Sequence, residues 1–362
     1  MTTFGQRNRN RLKLGGTNVR IPAEWEPHAC CWMAWAVHSE WGKARNAVKR
    51  ELSEVIQTIA RYEPVRVLAP RGRELREALR EFARCPRITV IEAPVDDIWM
   101  RDIAPTFAWR GSGHGQELVA IDWNFNGWGG TIERLPRPGD RLARVASSVF
   151  GVPRVSVSFV ADGGAMVTDG RDTVITTRSC LLNPNRNPVR RGKDRQRMIE
   201  TELAKLGVRR VIWLEGDPCE PLTSGHTDGY VLCAPSGVVL VETYDDKGVE
   251  PPMWREHDVA ILERATSADG RAFKVARVRA PRQRYWTSDA DTFAPCYLNS
   301  YVSNGAVVGA RFGDPQRDAA ARRALVKAFP GREIVMLKID HIADGGGGIH
   351  CLTQPMPTMM GG

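Results

Sequence analysis

The sequence predicts an α/β chain in which five strand–helix–strand units close into a ring, and three observations carry that reading. First, "FVADGGAMV" (159–167) and "HIADGGGGI" (341–349) share Ala-Asp-Gly-Gly. Second, each follows a helix pattern and then a strand-like apolar run: "GDRLARVASSVFG" with "VPRVSVSF", and "PQRDAAARRALVKAFPG" with "REIVMLKI". Third, the same order recurs three more times at a spacing of roughly 60–75 residues, the mark of one supersecondary unit repeated around an axis. Units too short to bury a core alone gain one from their neighbours. A doubly wound open sheet also alternates strands and helices and is the alternative to the ring.

Taken in order, the first unit is "ACCWMAWAV", the helix "GKARNAVKRELSEVIQTIARY", and "VRVLAP". It continues through a short helix, "RELREALREFAR", and the strand "ITVIEAP", and ends at "DDIWMRD". The second runs from "ELVAID" through "GDRLARVASSVFG" and "VPRVSVSF" to "ADGG". The third is "DTVITT", "RQRMIETELAKLG" and "RRVIWLEG", ending at "SGHTDG". The fourth has "GYVLCAP", "GVVLVETY", the helix "WREHDVAILERATSA" and "FKVARVRAP", leading towards "YLNSY". The fifth is "GAVVGARF", "PQRDAAARRALVKAFPG" and "REIVMLKI", ending at "GGGGIHC". The helices carry apolar residues at i, i+3 and i+4, one buried face each. The strands are rich in Val and Ile.

Composition narrows the class. The 362 residues hold ordinary apolar and charged fractions, 42% and 26%, which suits a soluble globular protein. No run of eighteen apolar residues occurs, so no membrane helix is expected. The basic start, "MTTFGQRNRNRLKLGG", lacks an apolar core, so residues 1–16 read as a disordered basic arm rather than a secretory signal. Residues 17–362 read as a single catalytic domain in a cytoplasmic protein. The eight cysteines include no CxxC pair, so reduced thiols are expected and a structural zinc site is not. The net charge of +9 reads as a solvated basic surface, with no motif for nucleic acid.

A ring would bring the unit ends together, and those ends hold the chemistry. Cys351 follows four glycines, where backbone N–H groups can face its sulfur and favour the reactive thiolate. Glycines in that turn, Gly348 among them, also let a substrate approach the backbone. In "GHTD", His226 and Asp228 are two residues apart, so an extended backbone points both the same way. Histidine supplies acid–base capacity near neutral pH. His350 is the rival base, but as the neighbour of Cys351 it faces the other way and reads as structural.

Asp102 and Asp162 complete the set. Asp102 follows Trp99 and Arg101, and a carboxylate beside an indole suits a planar cation. Trp128, in "NFNGWGG", is either core or a second wall. One thiol, one histidine and two or three aspartates, without a metal pattern, fit a flat guanidinium with several N–H donors. Neither metal nor organic cofactor is expected.

These same segments carry a family resemblance. "WMRDIAPTF", "DWNFNGWGG", "TTRSCLLNPNRNP", "GHTDG", "YVSNGAVVGARFGDP" and "GGGGIHCLTQPMP" resemble the agmatine deiminases, within the peptidylarginine-deiminase-type branch of the guanidino-modifying enzymes. The resemblance spans nearly the whole chain beyond the arm. It implies the five-bladed α/β propeller (pentein) of pseudo-symmetric ββαβ units. It implies Cys351 as nucleophile, His226 and Asp228 as the GHxD pair, and Asp102 as the Asp of the WxRD segment. It also implies a homo-oligomer, a dimer or higher. Two departures concern substrate identity: Asp162 replaces the usual Glu before Gly-Gly, and Gln354-Pro355 replaces Gln-Gln. The implied reaction is agmatine plus water to N-carbamoylputrescine and ammonia, by a covalent Cys intermediate. Another guanidino compound, such as arginine, peptidyl-arginine or a modified arginine, is the nearest alternative, with amine in place of water in an amidinotransferase. A Cys–His protease gives Asp102 and Asp228 no role. A non-catalytic binding module predicts an unreactive Cys351.

Overall fold

The computed structural model describes residues 19–130, 138–189, 194–244 and 253–358. The basic arm expected over 1–16 lies outside the described residues.

Each repeat predicted from sequence becomes its own small sheet, and five sheets of three or four strands form among the described residues. The sheet of the fifth unit shows the plan. Ala306–Arg311 is the middle strand, antiparallel to Tyr301–Val302 and parallel to Glu333–Lys338. A parallel neighbour needs a crossover, here the helix Pro315–Ala328. That helix starts where the sequence says it should. Asp314 accepts a hydrogen bond from the Arg317 N–H at 3.2 Å, and Pro315 occupies the first turn without wasting a donor. Its buried face is Ala321, Leu325 and Ala328.

The plan repeats with Val231–Ala234, Val238–Thr243 and Lys274–Arg279 around the helix Met253–Arg264. It repeats with Met166–Thr168, Thr173–Thr177 and Arg210–Leu214 around Arg195–Lys205. In the sheet of Thr106–Arg110, Glu117–Asp122 and Arg154–Ser156, the strand Val19–Arg20 adds an outer edge. The fifth sheet joins the two ends of the described chain. Gln354–Pro357 pairs antiparallel with His28–Ala34, which is followed in parallel by Val65–Ala69 and Ile88–Glu92. Central strands such as Thr173–Thr177 are buried throughout, as a strand covered on both faces must be.

Two elements differ from expectation. "GDRLARVASSVFG" is not one α-helix: Pro138–Val145 is a 3₁₀ segment and only Ala146–Val149 is α-helical. The serines offer the backbone other partners, with Ser148 Oγ donating to the Val145 carbonyl at 2.9 Å and Ser147 Oγ to that of Val152 at 3.2 Å. The antiparallel strands Thr106–Arg110, Met166–Thr168, Tyr301–Val302 and Gln354–Pro357 were not anticipated. They are two to five residues long, too short to display an alternating pattern. Each begins just after a segment read as a unit end, so those segments are the passages from one sheet into the next. No helix among the described residues is long and apolar enough to cross a membrane.

Candidate active site

Five such passages meet, and their hydrogen bonds run in a circuit. The Arg101 N–H donates to the Cys351 carbonyl at 3.0 Å, and the Gly164 N–H to Asp102 Oδ1 at 3.0 Å. The Asp228 N–H donates to the Gly164 carbonyl at 3.2 Å. Asn299 Nδ2 donates to the Asp228 carbonyl at 3.2 Å, and the His350 N–H to the Asn299 carbonyl at 3.2 Å. These contacts fix five sequence-distant segments relative to one another and leave a cavity of about 650 Å³ beside them. Its wall includes Trp99, Asp102, Trp128, His226, Asp228, Gly348 and Cys351.

The glycines before Cys351 have steric causes. A Cβ on Gly345 would meet Trp41 at 2.0 Å, and on Gly346 would meet Leu222 Cδ1 at 1.9 Å. On Gly347 it would meet Trp99 at 2.6 Å, and on Gly348 it would meet Asn299 Oδ1 at 2.7 Å. Gly346 also has φ +94°, a conformation L side chains avoid. The turn is therefore threaded between four side chains, and Cys351 emerges from it against the cavity.

Cys351 Sγ accepts from Asn299 Nδ2 at 3.1 Å and lies 3.6 Å from Asp228 Oδ2. Burial, then the charges of Asp228 and Asp102, push its thiol well above the usual range, while the Gly348 N–H and Asn299 oppose them. The protein groups around Cys351 thus disfavour its thiolate. Asp228 Oδ2 is held by His350 Nδ1 at 2.7 Å, whereas Oδ1 is buried and has no hydrogen-bond partner. A buried carboxylate oxygen on a cavity wall without a donor calls for one from a ligand.

Asp102 Oδ2 accepts from Trp128 Nε1 at 2.8 Å. Trp128 is a wall of the cavity and a support for that carboxylate, and its φ of +57° stores strain that such sites tolerate. Burial, followed by the charge of Asp162, raises the Asp102 carboxyl to about 7, against the pull of His226.

His226 Nε2 lies 2.9 Å from Asp162 Oδ1, and its Nδ1 lies 3.7 Å from Asp228 Oδ1. Burial alone would discharge the imidazole, but Asp162 and Asp102 outweigh it and hold the ring well above its usual pKa.

Asp162 corrects an expectation. It does not line the cavity but is fully buried behind His226, its other oxygen paired with Arg186. Its carboxylate meets the imidazole rather than the cavity. Its carboxyl is kept well below the usual range, since Arg186 and His226 outweigh the large cost of burial.

Asp102, Asp162 and His226 bring possible ligand atoms within 4.8 Å of one another. Arg186 already occupies Asp162, and Trp128 and Gly164 already donate to Asp102. The fixed Arg186 cation sits against both Asp162 and His226 Nε2, so the cluster does not suit a metal ion.

His350 does not line the cavity, although residues 349–352 form a turn rather than the extended segment expected from sequence. It bridges Asp228 Oδ2 and Glu24 Oε1, at 2.7 Å each, and Arg101 NH1 donates to Glu24 at 2.8 Å. Against burial and Arg101, its two carboxylate partners raise its pKa. Pro355 falls in the edge strand beside Cys31, where a missing N–H is tolerated, and not in the cavity. Sequence reasoning missed Asn299, Arg186 and Glu24. "YLNSY" was placed at a unit end, but an Asn among polar turn residues carries no chemical signal by itself.

The family profile described as Porphyromonas-type peptidyl-arginine deiminase matches residues 20–357, and the chain belongs to that family. Among curated relatives, an agmatine deiminase of Medicago truncatula is 35% identical over 370 residues, covering 94% of this chain and 96% of that protein. One from Pseudomonas aeruginosa (strain LESB58) is 33% identical over 359 residues, covering 93% and 95%. Among solved structures, an agmatine deiminase of Enterococcus faecalis superposes with a TM-score of 0.84 at 28% identity, covering 96% of this chain and 99% of that one.

Proposed function

We propose that this protein hydrolyses a guanidino compound through a covalent adduct on Cys351, with agmatine as the substrate and N-carbamoylputrescine and ammonia as products. The five sheets form the blades of a five-bladed α/β propeller in one catalytic domain, with the site on its axis. The circuit of hydrogen bonds through five segments supports that arrangement. Agmatine enters from the names of the relatives. The unpartnered Asp228 Oδ1, on a carboxylate that lines one cavity with Cys351 and Asp102, is the observation that carries the guanidinium reading.

The guanidinium N–H groups bond to Asp102 and Asp228. The bound cation offsets the two carboxylates that oppose ionisation of Cys351, so with substrate in place the thiol gives its proton to solvent and the thiolate forms. The sulfur attacks the guanidinium carbon. His226, held as imidazolium, gives its proton to the departing nitrogen, which leaves as ammonia. The remaining S-linked amidinium is attacked by water, which passes a proton to His226. The C–S bond then breaks, and the hydroxyl proton of the adduct balances ammonia as ammonium. The product is a ureido compound and the thiolate is restored.

The test is ammonia release from agmatine by the intact protein and by Cys351→Ala. The variant is expected to release none above background, and the wild type to gain the mass of an amidine on Cys351 during turnover. Release at the original rate by Cys351→Ala overturns the reading. Assaying arginine and peptidyl-arginine alongside tests the choice of agmatine.

A further inference from the structure

Arg186 does not line the cavity itself, yet it sits directly behind the acid–base group in its wall. It is 1% exposed, in the loop "NPNRNP" that follows the short helix Arg178–Leu181. Its NH1 donates to Asp162 Oδ2, and its NH2 donates to the Thr223 carbonyl at 3.0 Å and lies 3.2 Å from His226 Nε2. Gly129, next to Trp128, packs on its stem, where an added Cβ would lie 3.1 Å from Cγ. Asp162 is therefore shared between a guanidinium on one oxygen and an imidazole on the other.

We propose that Arg186 is a positioning residue that limits how firmly Asp162 holds the proton of His226, so that the ring serves as acid in the first half-reaction and as base in the second. This rests on the covalent reading above. The groups facing His226 are Asp162, Asp102, Asp228, Cys180 and Arg186, three carboxyls against one permanent cation. Without that cation, a buried and uncompensated Asp162 would stabilise imidazolium strongly. His226 would then be a reluctant acid. After ammonia left, it would take a proton from solvent and be unable to accept one from the attacking water. The Nε2 contact with Arg186 acts in the same sense, since an N–H pointed at that nitrogen disfavours a proton there.

Three variants test this through the pH dependence of adduct hydrolysis, read by single-turnover kinetics and intact-protein mass. In Arg186→Met, the midpoint for hydrolysis is expected to rise by at least about one unit, roughly a tenfold loss at a fixed pH below it, and the Cys351 adduct to accumulate. In Arg186→Lys, which keeps the charge, the midpoint is expected to stay within a few tenths of a unit of wild type. In Asp162→Asn, the midpoint is expected to fall. An Arg186→Met protein that folds and loses rate with an unmoved midpoint and no accumulated adduct overturns the proposal. Should Arg186→Met fail to fold, an unmoved midpoint in Asp162→Asn overturns it instead. If the wild type forms no adduct with any guanidine, the covalent reading fails, a result distinct from failure of the Arg186 role.

Discussion

Asp102 is the residue whose environment makes the sharpest statement about pH. Burial, the neighbouring Asp162 charge and, more weakly, Asp228 keep its carboxyl protonated up to about 7. A protonated carboxyl cannot balance a guanidinium. Hence kcat/KM, which reports the free protein, is expected to fall as pH drops through about 7. Bound substrate favours the carboxylate, so kcat at saturation should hold to lower pH. Parallel pH profiles of the two constants check this, and a kcat/KM flat from about pH 5 to 8 would count against it. At this scale the sequence set Cys351, His226, Asp228 and Asp102 at unit ends, and all four line one cavity. Asp162 was assigned to the ligand because its segment repeats the pattern, but repetition says which end of a unit a residue occupies, not how deep it lies. Arg186 and Glu24 were invisible because they act through other side chains, across sheets that only folding juxtaposes.

Among the elements, the Gly-rich passages decide how closely the reactive groups approach. Gly164 is an example: a Cβ there would lie 2.5 Å from His226 Nδ1 and 2.8 Å from Asp102 Oδ1. Gly164→Ala is expected to displace both, losing about 1–3 kcal/mol of stability and a larger share of activity. Thermal unfolding and kcat measured on the same sample separate the two. An alanine variant with unchanged kcat would show that the passage is looser than its contacts indicate. Helices and middle strands were readable because they are long enough to express a period of 3.6 or a run of Val and Ile. The Pro315–Ala328 helix even carries its start signal in Asp314-Pro315. The two- to five-residue antiparallel strands were not readable, since they are defined by the sheet they enter rather than by their own pattern.

For the molecule as a whole, the sheet shared by the two ends of the described chain matters most. Among the described residues, Gln354–Pro357 supplies the only strand beside the outer edge of His28–Ala34, three residues beyond Cys351. Removing residues from 354 onward is expected to expose a hydrogen-bonding edge, lower the melting temperature by several degrees, on the order of 2–4 °C per kcal/mol lost for a chain of this size, and abolish activity through the loosened thiol. Calorimetry and ammonia release measure both. Full activity with an unchanged melting point would mean that this strand is dispensable. The repeat of five was legible from Ala-Asp-Gly-Gly and its surroundings, but the joining of first and last segments was not, because no local signal marks a strand whose partner lies more than three hundred residues away.

That joining has a temporal consequence during synthesis, which proceeds from the N-terminus. Four of the five passages leave the ribosome before the thiol does. Cys351 is made last, together with Gln354–Pro357, the strand that joins the late end of the described chain to His28–Ala34.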